Sequence, residues 1–247
     1  PLRIQENQLP GTLVGVFTAS DPDEDSLIYR FVGGENNNSL FSLDLNGTLS
    51  SSVIFDFENN ATTYQVEVEV SDRRDGNASA VFNISLLDLN EAPLGLRPLT
   101  ALTFAENQAI GTVVGQFTAS DPDGDGLSFH MVDSDPNDIA FQLDPDGTLR
   151  TAKVFNFENQ STYAVFVGVR DEQNASTQAN FDIAVADRND APVIISDNGE
   201  SNVSLAIPEN QTLVTTVVAS DEDNGSQITF SVDNANFVID PQSGALS

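Results

Sequence analysis

From Tyr64 the chain reads Tyr-Gln-Val-Glu-Val-Glu-Val, apolar at 64, 66, 68 and 70 and polar at 65, 67 and 69. A period of two sends successive side chains to opposite faces, so the stretch predicts a half-buried β-strand. The same beat returns at Phe82, Ile84 and Leu86, and again at Phe181, Ile183 and Val185. In TLVGVFTA, Val14, Phe17 and Ala19 recur as Val114, Phe117 and Ala119, but the spacing slips. That slip predicts a β-bulge. Phe17, Phe31, Phe82, Phe117 and Phe181 read as core. Turn signals at Pro22, Asn46-Gly47, Asp75-Gly76 and Asp146-Gly147 separate the strands. No convincing amphipathic helix is present.

The pattern is repeated. ENQLPGTLVGVFTASDPDEDSLIYRF from Glu6 aligns with ENQAIGTVVGQFTASDPDGDGLSFHM from Glu106, and a third copy starts at Glu209. LFSLDLNGTL (40–49) matches AFQLDPDGTL (140–149) and FVIDPQSGAL (237–246). FDFEN (55–59) matches FNFEN (155–159), and YQVEVEVSD (64–72) matches YAVFVGVRD (163–171). The third copy reaches Ser247 before any such segment. About seven strands per copy, with turns between them, predict all-β tandem Greek-key sandwiches joined end to end. The expected boundaries are 1–92, 93–191 and an incomplete third repeat at 192–247. DLNEAP (88–93) and DRNDAP (187–192) form the connections, each ending in a proline that stiffens the next start.

Charge sharpens the reading. The 247 residues carry 38 acidic against 9 basic side chains, a net charge of −29. Nucleic acid and anionic membrane surfaces are repelled by such a chain, whereas cations suit it. Salt adaptation is a bland alternative, since Lys153 is the only lysine, but it does not explain acids at fixed positions. Cysteine is absent, which removes disulfides, thiol catalysis and thiolate metal sites. No apolar run reaches membrane-spanning length. The opening at Pro1, with no initiator Met and no visible leader, reads as an excised or processed fragment.

The recurring acids fall at strand ends and in loops. Glu6 follows the first strand. Asp56 and Glu58 flank Phe57, so an extended chain would put both carboxylates on one side. Asp88, Asn90 and Glu91 form the connection. Asp121 and Asp123 start a loop of the next repeat, and Asp171 ends one of its strands. Eight carboxylates at one junction would repel one another strongly without a cation. Carboxylate and amide oxygens with no His or Cys select Ca²⁺ over Mg²⁺.

This set resembles the cadherin repeat. The family uses a Glu after the first strand, a DRE-type pair, a DxNDN linker, and DxD plus a late Asp from the following repeat. The resemblance implies Ca²⁺ ligands at Glu6, Asp56, Glu58, Asp88, Asn90, Glu91, Asp121, Asp123 and Asp171. At a second junction it implies Glu106, Asn156, Glu158, Asp187, Asn189, Asp190, Asp221 and Asp223. Asn156 stands where the pair has Asp, so the second junction loses one charge there, and Ala92 and Ala191 replace the last linker Asn. The third repeat reaches Ser247 before a late Asp, so the second junction is expected to hold its last ion more weakly. Asp21, Asp23 and Asp72 look like a half-site for a preceding domain. No Trp supports strand-swap adhesion, and the missing Cys and scarce Lys look more like repeats of large bacterial surface proteins.

The implied function is a calcium-binding, extracellular adhesion stalk at the cell surface, stiffened by Ca²⁺. Its expected partners are other copies, another surface protein or a glycan, with no nucleic acid and no direct membrane contact. The alternatives are a polysaccharide-binding module, poorly supported with no Trp and three Tyr, and a passive salt-adapted spacer. DPDGDG (121–126) fails as an EF-hand because Val132 stands where a bidentate Glu is needed. His130, the only histidine, reads as a strand residue. No nucleophile constellation points to an enzyme. Ten Asn-x-Ser/Thr triplets read as Asn and Thr richness.

Overall fold

The computed structural model describes residues 1–34, 36–74, 76–132, 140–200 and 202–247. Asp75 of one expected turn lies outside the described residues. The chain divides into two compact units. The first is Pro1–Leu94 with Ser120–Leu127 and Arg170–Ser176; the second is Gly95–Ala119, Ser128–Val169 and Thr177–Ser247.

The first repeat has seven strands: β1 (Leu2–Gln5), β2 (Leu13–Val16), β3 (Ile28–Phe31), β4 (Phe41–Leu43), β5 (Thr48–Ser51), β6 (Thr63–Ser71) and β7 (Asn77–Leu87). They form two sheets, ordered β1-β7-β6-β3 and β2-β5-β4. The long β6–β7 hairpin runs in unbroken antiparallel register from Thr63↔Ser85 to Ser71↔Asn77. The period-two beat of β6 buries Tyr64, Val66 and Val68, and β7 buries Ile84 and Leu86. Between the sheets Phe41, Phe55 and Tyr64 pack with ring centroids 4.8–6.0 Å apart. Aromatic rings at such spacings bury much apolar area in favourable tilted or edge-on contacts.

Among the described residues the second repeat uses eight strands: β8 (Leu94–Pro98), β9 (Thr103–Ala105), β10 (Val113–Ser120), β11 (Ser128–Met131), β12 (Phe141–Leu143), β13 (Thr148–Thr151), β14 (Thr162–Arg170) and β15 (Ser176–Ala186). The extra strand is β8: β9 is the counterpart of β1, and the positions equivalent to β8 would fall before Pro1. β9 runs parallel to β15 in the sheet β11-β14-β15-β9, whereas β8 joins β12-β13-β10-β8. Phe104 takes the place of Ile4 and enlarges the aromatic cluster with Phe141, Phe155 and Tyr163.

The bulge appears in both repeats: register shifts between Leu13 and Gly15 and between Val113 and Gly115. Val14, Phe17, Val114 and Phe117 are buried. Ala19 is exposed and Ala119 half-buried, so the beat ends at the phenylalanine in each copy. Phe31, Phe82 and Phe181 are half-buried too. Phe82 and Phe181 lie over Phe17 and Phe117 at 4.6 and 4.8 Å, covering the core edge without entering it.

In the third copy, β16 (Val193–Ile194) pairs with β18 (Ala219–Ser220), and β17 (Thr215–Thr216) with β19 (Ala245–Leu246). Val193, Ile194, Val203, Leu205 and Ile207 are exposed. Among the described residues of 192–247 no long hairpin strands cover them.

Candidate metal centre

The centre of each arrangement is a buried glutamate. Glu6 and Glu106 are 0% exposed. A carboxylate there costs much desolvation unless donors surround it. Glu6 Oε2 accepts the Phe57 N–H at 2.6 Å and its Oε1 the Leu89 N–H at 2.8 Å. Glu106 repeats this with Phe157 at 2.6 Å and Arg188 at 2.8 Å. Each glutamate therefore fastens two backbone segments, the FxFE segment and the outgoing linker. The next residue, Asn7 or Asn107, turns the chain with φ of 59° or 57°. Asparagine tolerates that left-handed conformation better than most side chains. The side-chain amides donate to the linker acids: Asn7 to Glu91, and Asn107 to Asp190 at 2.7 Å.

The FxFE segment is a turn, not an extended strand. The Asn60 N–H donates to the Asp56 carbonyl at 2.9 Å, and residues 57–59 curl. Asp56 and Glu58 converge all the same, because the turn folds them against Glu6 while Phe57 packs on the core.

In the first unit, oxygens of Glu6, Asp56 and Glu58 lie within 4.8 Å of one another. So do those of Glu58, Asp88 and Asp123, and those of Asp121, Asp123 and Asp125. Glu91 donates its N–H to Asp123 at 2.9 Å, and the Asn90 amide donates to Asp171 at 2.7 Å. Asp171 is 4% exposed. All nine expected residues are thus linked, and Asp125 joins them. In the second unit the sets are Glu106–Glu158–Asp190 and Glu158–Asp187–Asp223. Asp190 donates its N–H to Asp223 at 2.7 Å, and Asp221 accepts from the Asp223 N–H at 2.9 Å. Asn189 donates to the Asp190 carbonyl at 2.5 Å. Asn156 accepts the Asn159 N–H at 2.8 Å and donates to Glu222 at 2.6 Å.

Electrostatics show the crowding. Burial pushes Glu91 up to about 7, aided by the charges of Glu6, Asp123 and Glu58. Asp88 is raised by burial and then by Asp123 and Glu6. Burial, with the charges of Glu6, Asp123 and Asp88, raises Glu58. Asp190 rises through burial and then Glu106, Asp223 and Glu222.

Whether these residues fit a cation is tested by their unmatched oxygens. Buried Asn90 Oδ1, Glu91 Oε2, Asp121 Oδ2, Asp123 Oδ1, Asp125 Oδ2 and Glu158 Oε2 have no hydrogen-bond donor. Five of these belong to the first cluster and Glu158 Oε2 to the second; a buried acceptor without a donor costs free energy, and a hard cation is a ligand that suits such oxygens. The equivalent of Asp125 in the first repeat makes the contrast: Asp25 is neutralised by Arg74 at 3.0 Å. Asp21 and Asp72 turn one oxygen each onto their own loops, through Asp23 at 2.8 Å and through Arg74 and Gly76 at 2.7 and 3.0 Å. Glu209, the third counterpart of Glu6, is exposed. Asp125, Asn7, Asn107 and Glu222 were not expected at the sites. Recurrence of Asn beside Glu in all three copies was the signal for the asparagines.

Known proteins share the pattern. A family profile described as Cadherin domain matches residues 1–86 and 100–186. Human Protocadherin Fat 4 is 29% identical over 98% of this chain, which covers 5% of that protein. Rat Protocadherin Fat 2 is 32% identical over 99% of the chain, which covers 6% of that protein. A protocadherin gammaB7 EC3-6 cis-dimer structure superposes with a TM-score of 0.65 at 25% identity, over 99% of this chain and 62% of that one. Mouse Cadherin-23 EC22-24 gives 0.64 at 22% identity, over 99% and 83%. With the profile covering both sandwiches and their buried glutamates, the chain belongs to the cadherin family.

Proposed function

We propose that the chain is a Ca²⁺-dependent segment of an extracellular adhesion protein, built of repeats at 1–92 and 93–191 and part of a third at 192–247. The observation that carries this reading is the set of five buried, donorless oxygens in the first cluster, with Glu158 Oε2 alone in the second. Ca²⁺ accepts roughly 6–8 oxygens and tolerates irregular geometry. Glu6, Asp56, Glu58, Asp88, Asn90, Glu91, Asp121, Asp123 and Asp171 would hold it in the first cluster. Glu106, Glu158, Asp187, Asn189, Asp190, Asp221 and Asp223 would do so in the second. The ion supplies positive charge that cancels the repulsion and ties the linker to loops from both flanking repeats. The chain's own residues do the positioning: Glu6 and Glu106 hold the FxFE turn and linker, and Asn7 and Asn107 orient the linker acids. The partners are Ca²⁺ and other surface molecules, including further copies; the role is mechanical and adhesive rather than enzymatic, at the cell surface. Among the described residues no helix is long and apolar enough to cross a membrane.

The test is a thermal melt in chelator, in excess Mg²⁺ and in Ca²⁺ titrated from micromolar to millimolar. Ligands that bind only the folded state raise the midpoint with concentration. A Ca²⁺-selective rise, reduced by Asp88→Ala, is expected. Equal midpoints in all three media would remove the ion from the reading.

A further inference from the structure

Two substitutions separate the acidic clusters, and they face each other. The first repeat has Asp56 in FDFE, and Pro122 stands in SDPD; the second has Asn156 in FNFE, and Glu222 stands in SDED. The atoms explain why these changes belong together. Asp56 Oδ1 accepts the Asn59 N–H at 2.8 Å, which closes the turn. Its Oδ2 accepts only the Asn59 amide at 3.0 Å and keeps ligand capacity. Asn156 Oδ1 does the same closing work, accepting the Asn159 N–H at 2.8 Å. Its second atom is Nδ2, a donor with no lone pair for a cation. That nitrogen donates to Glu222 Oε2 at 2.6 Å. A carboxylate from the third repeat's loop is thereby drawn to the place where a side-chain oxygen was lost. Asn107, Asn156, Asp190 and Glu222 line one cavity of about 450 Å³, room for a cation with its waters.

We infer that Glu222 acts as a cation ligand in place of the carboxylate lost at Asn156, so the second cluster regains that one oxygen donor. The inference rests on the cation reading of the clusters. It offsets the charge that the sequence reading counts as lost at Asn156. It also makes that site depend on a residue between two loop aspartates, a position that proline fills in SDPD.

The experiment is calorimetric titration of the 247-residue chain with Ca²⁺, comparing wild type, Glu222→Gln, Asn156→Asp/Glu222→Gln and Asp88→Ala. Glu222 is exposed, so Glu222→Gln should fold normally, as circular dichroism can verify. Affinity scales with the charge count of the ligands, so Glu222→Gln should weaken one binding step roughly tenfold. The double variant restores the carboxylate on the FxFE side and should recover that step to within about threefold. Asp88→Ala should weaken different steps. If Glu222→Gln matches wild type while Asp88→Ala loses ions, Glu222 is a spectator and this inference falls alone. If no variant, wild type included, binds Ca²⁺, the cation reading falls and takes the inference with it.

Discussion

Glu6 is a charged residue with no exposure in a chain that already carries far more acids than bases. Its value lies in its two acceptor oxygens. Glu6→Ala strips partners from the Phe57 and Leu89 N–H groups, and each orphaned buried donor costs roughly 1–3 kcal/mol. Glu91→Ala also removes a crowded charge but no such acceptor pair. In chelator, urea unfolding should therefore find Glu6→Ala less stable than Glu91→Ala by about 2–4 kcal/mol. Equal stabilities would mean the glutamate is not the fastening point. The acids also set a pH dependence. Glu91 titrates at about 7 in the fold against an ordinary 4.5. A folded pKa above the unfolded one means the ionised fold is penalised: the penalty is fully present above the folded value and gone below the unfolded one. In chelator the melting midpoint should rise as pH drops from about 8 towards about 5. Saturating Ca²⁺ should invert that slope, because protons then compete with the ion. A midpoint that falls on acidification in chelator would mean the carboxylates are not crowded in solution.

At the scale of elements, the turn between β4 and β5 shows how closely neighbouring strands of one sheet approach. Gly47 has φ of 91°, and a Cβ there would stand 2.6 Å from the Phe17 carbonyl oxygen. Gly147 has φ of 88° and the same 2.6 Å approach to Phe117. Gly47→Ala must move the turn or the bulged strand and should cost roughly 1–3 kcal/mol; an unchanged midpoint would show that the turn relaxes freely. These turns were legible, because Asn-Gly and Asp-Gly between apolar runs leave few alternatives. So were β6, β7, β14 and β15, whose alternation is long enough to fix which face is buried. Strand β8 was not legible, since LGLRP has no clean beat and its sheet is chosen by the open edge of β10. The FxFE segment was read as extended because two acids flank an aromatic residue. The turn satisfies the same pattern with Phe57 packed inward, so side-chain pattern alone could not separate the two. Asp125 lay in a legible loop, yet Asp25 in the same position pairs with Arg74, so sequence position did not decide between ligand and ion pair.

For the whole molecule, the prediction concerns how the repeats move. If Ca²⁺ ties each linker to both flanking repeats, small-angle scattering should report a stiffer or longer chain in Ca²⁺ than in chelator, and Asp88→Ala should blunt the change. An ion-independent profile would count against stiffening even if ions bind. The chain spans only 5–8% of the first three large relatives. In any tandem array a modest change at each linker would be multiplied by the number of linkers. Glu6 and Glu106 bear on how such an array is made. Each finds both of its backbone donors inside its own repeat and outgoing linker. A repeat copied with its linker would bring its socket ready-made, and its neighbour need supply only loop aspartates. Gene duplication would then lengthen an array without redesigning any junction, and single junctions would be free to differ, as the two in this chain do at Asn156 and Glu222.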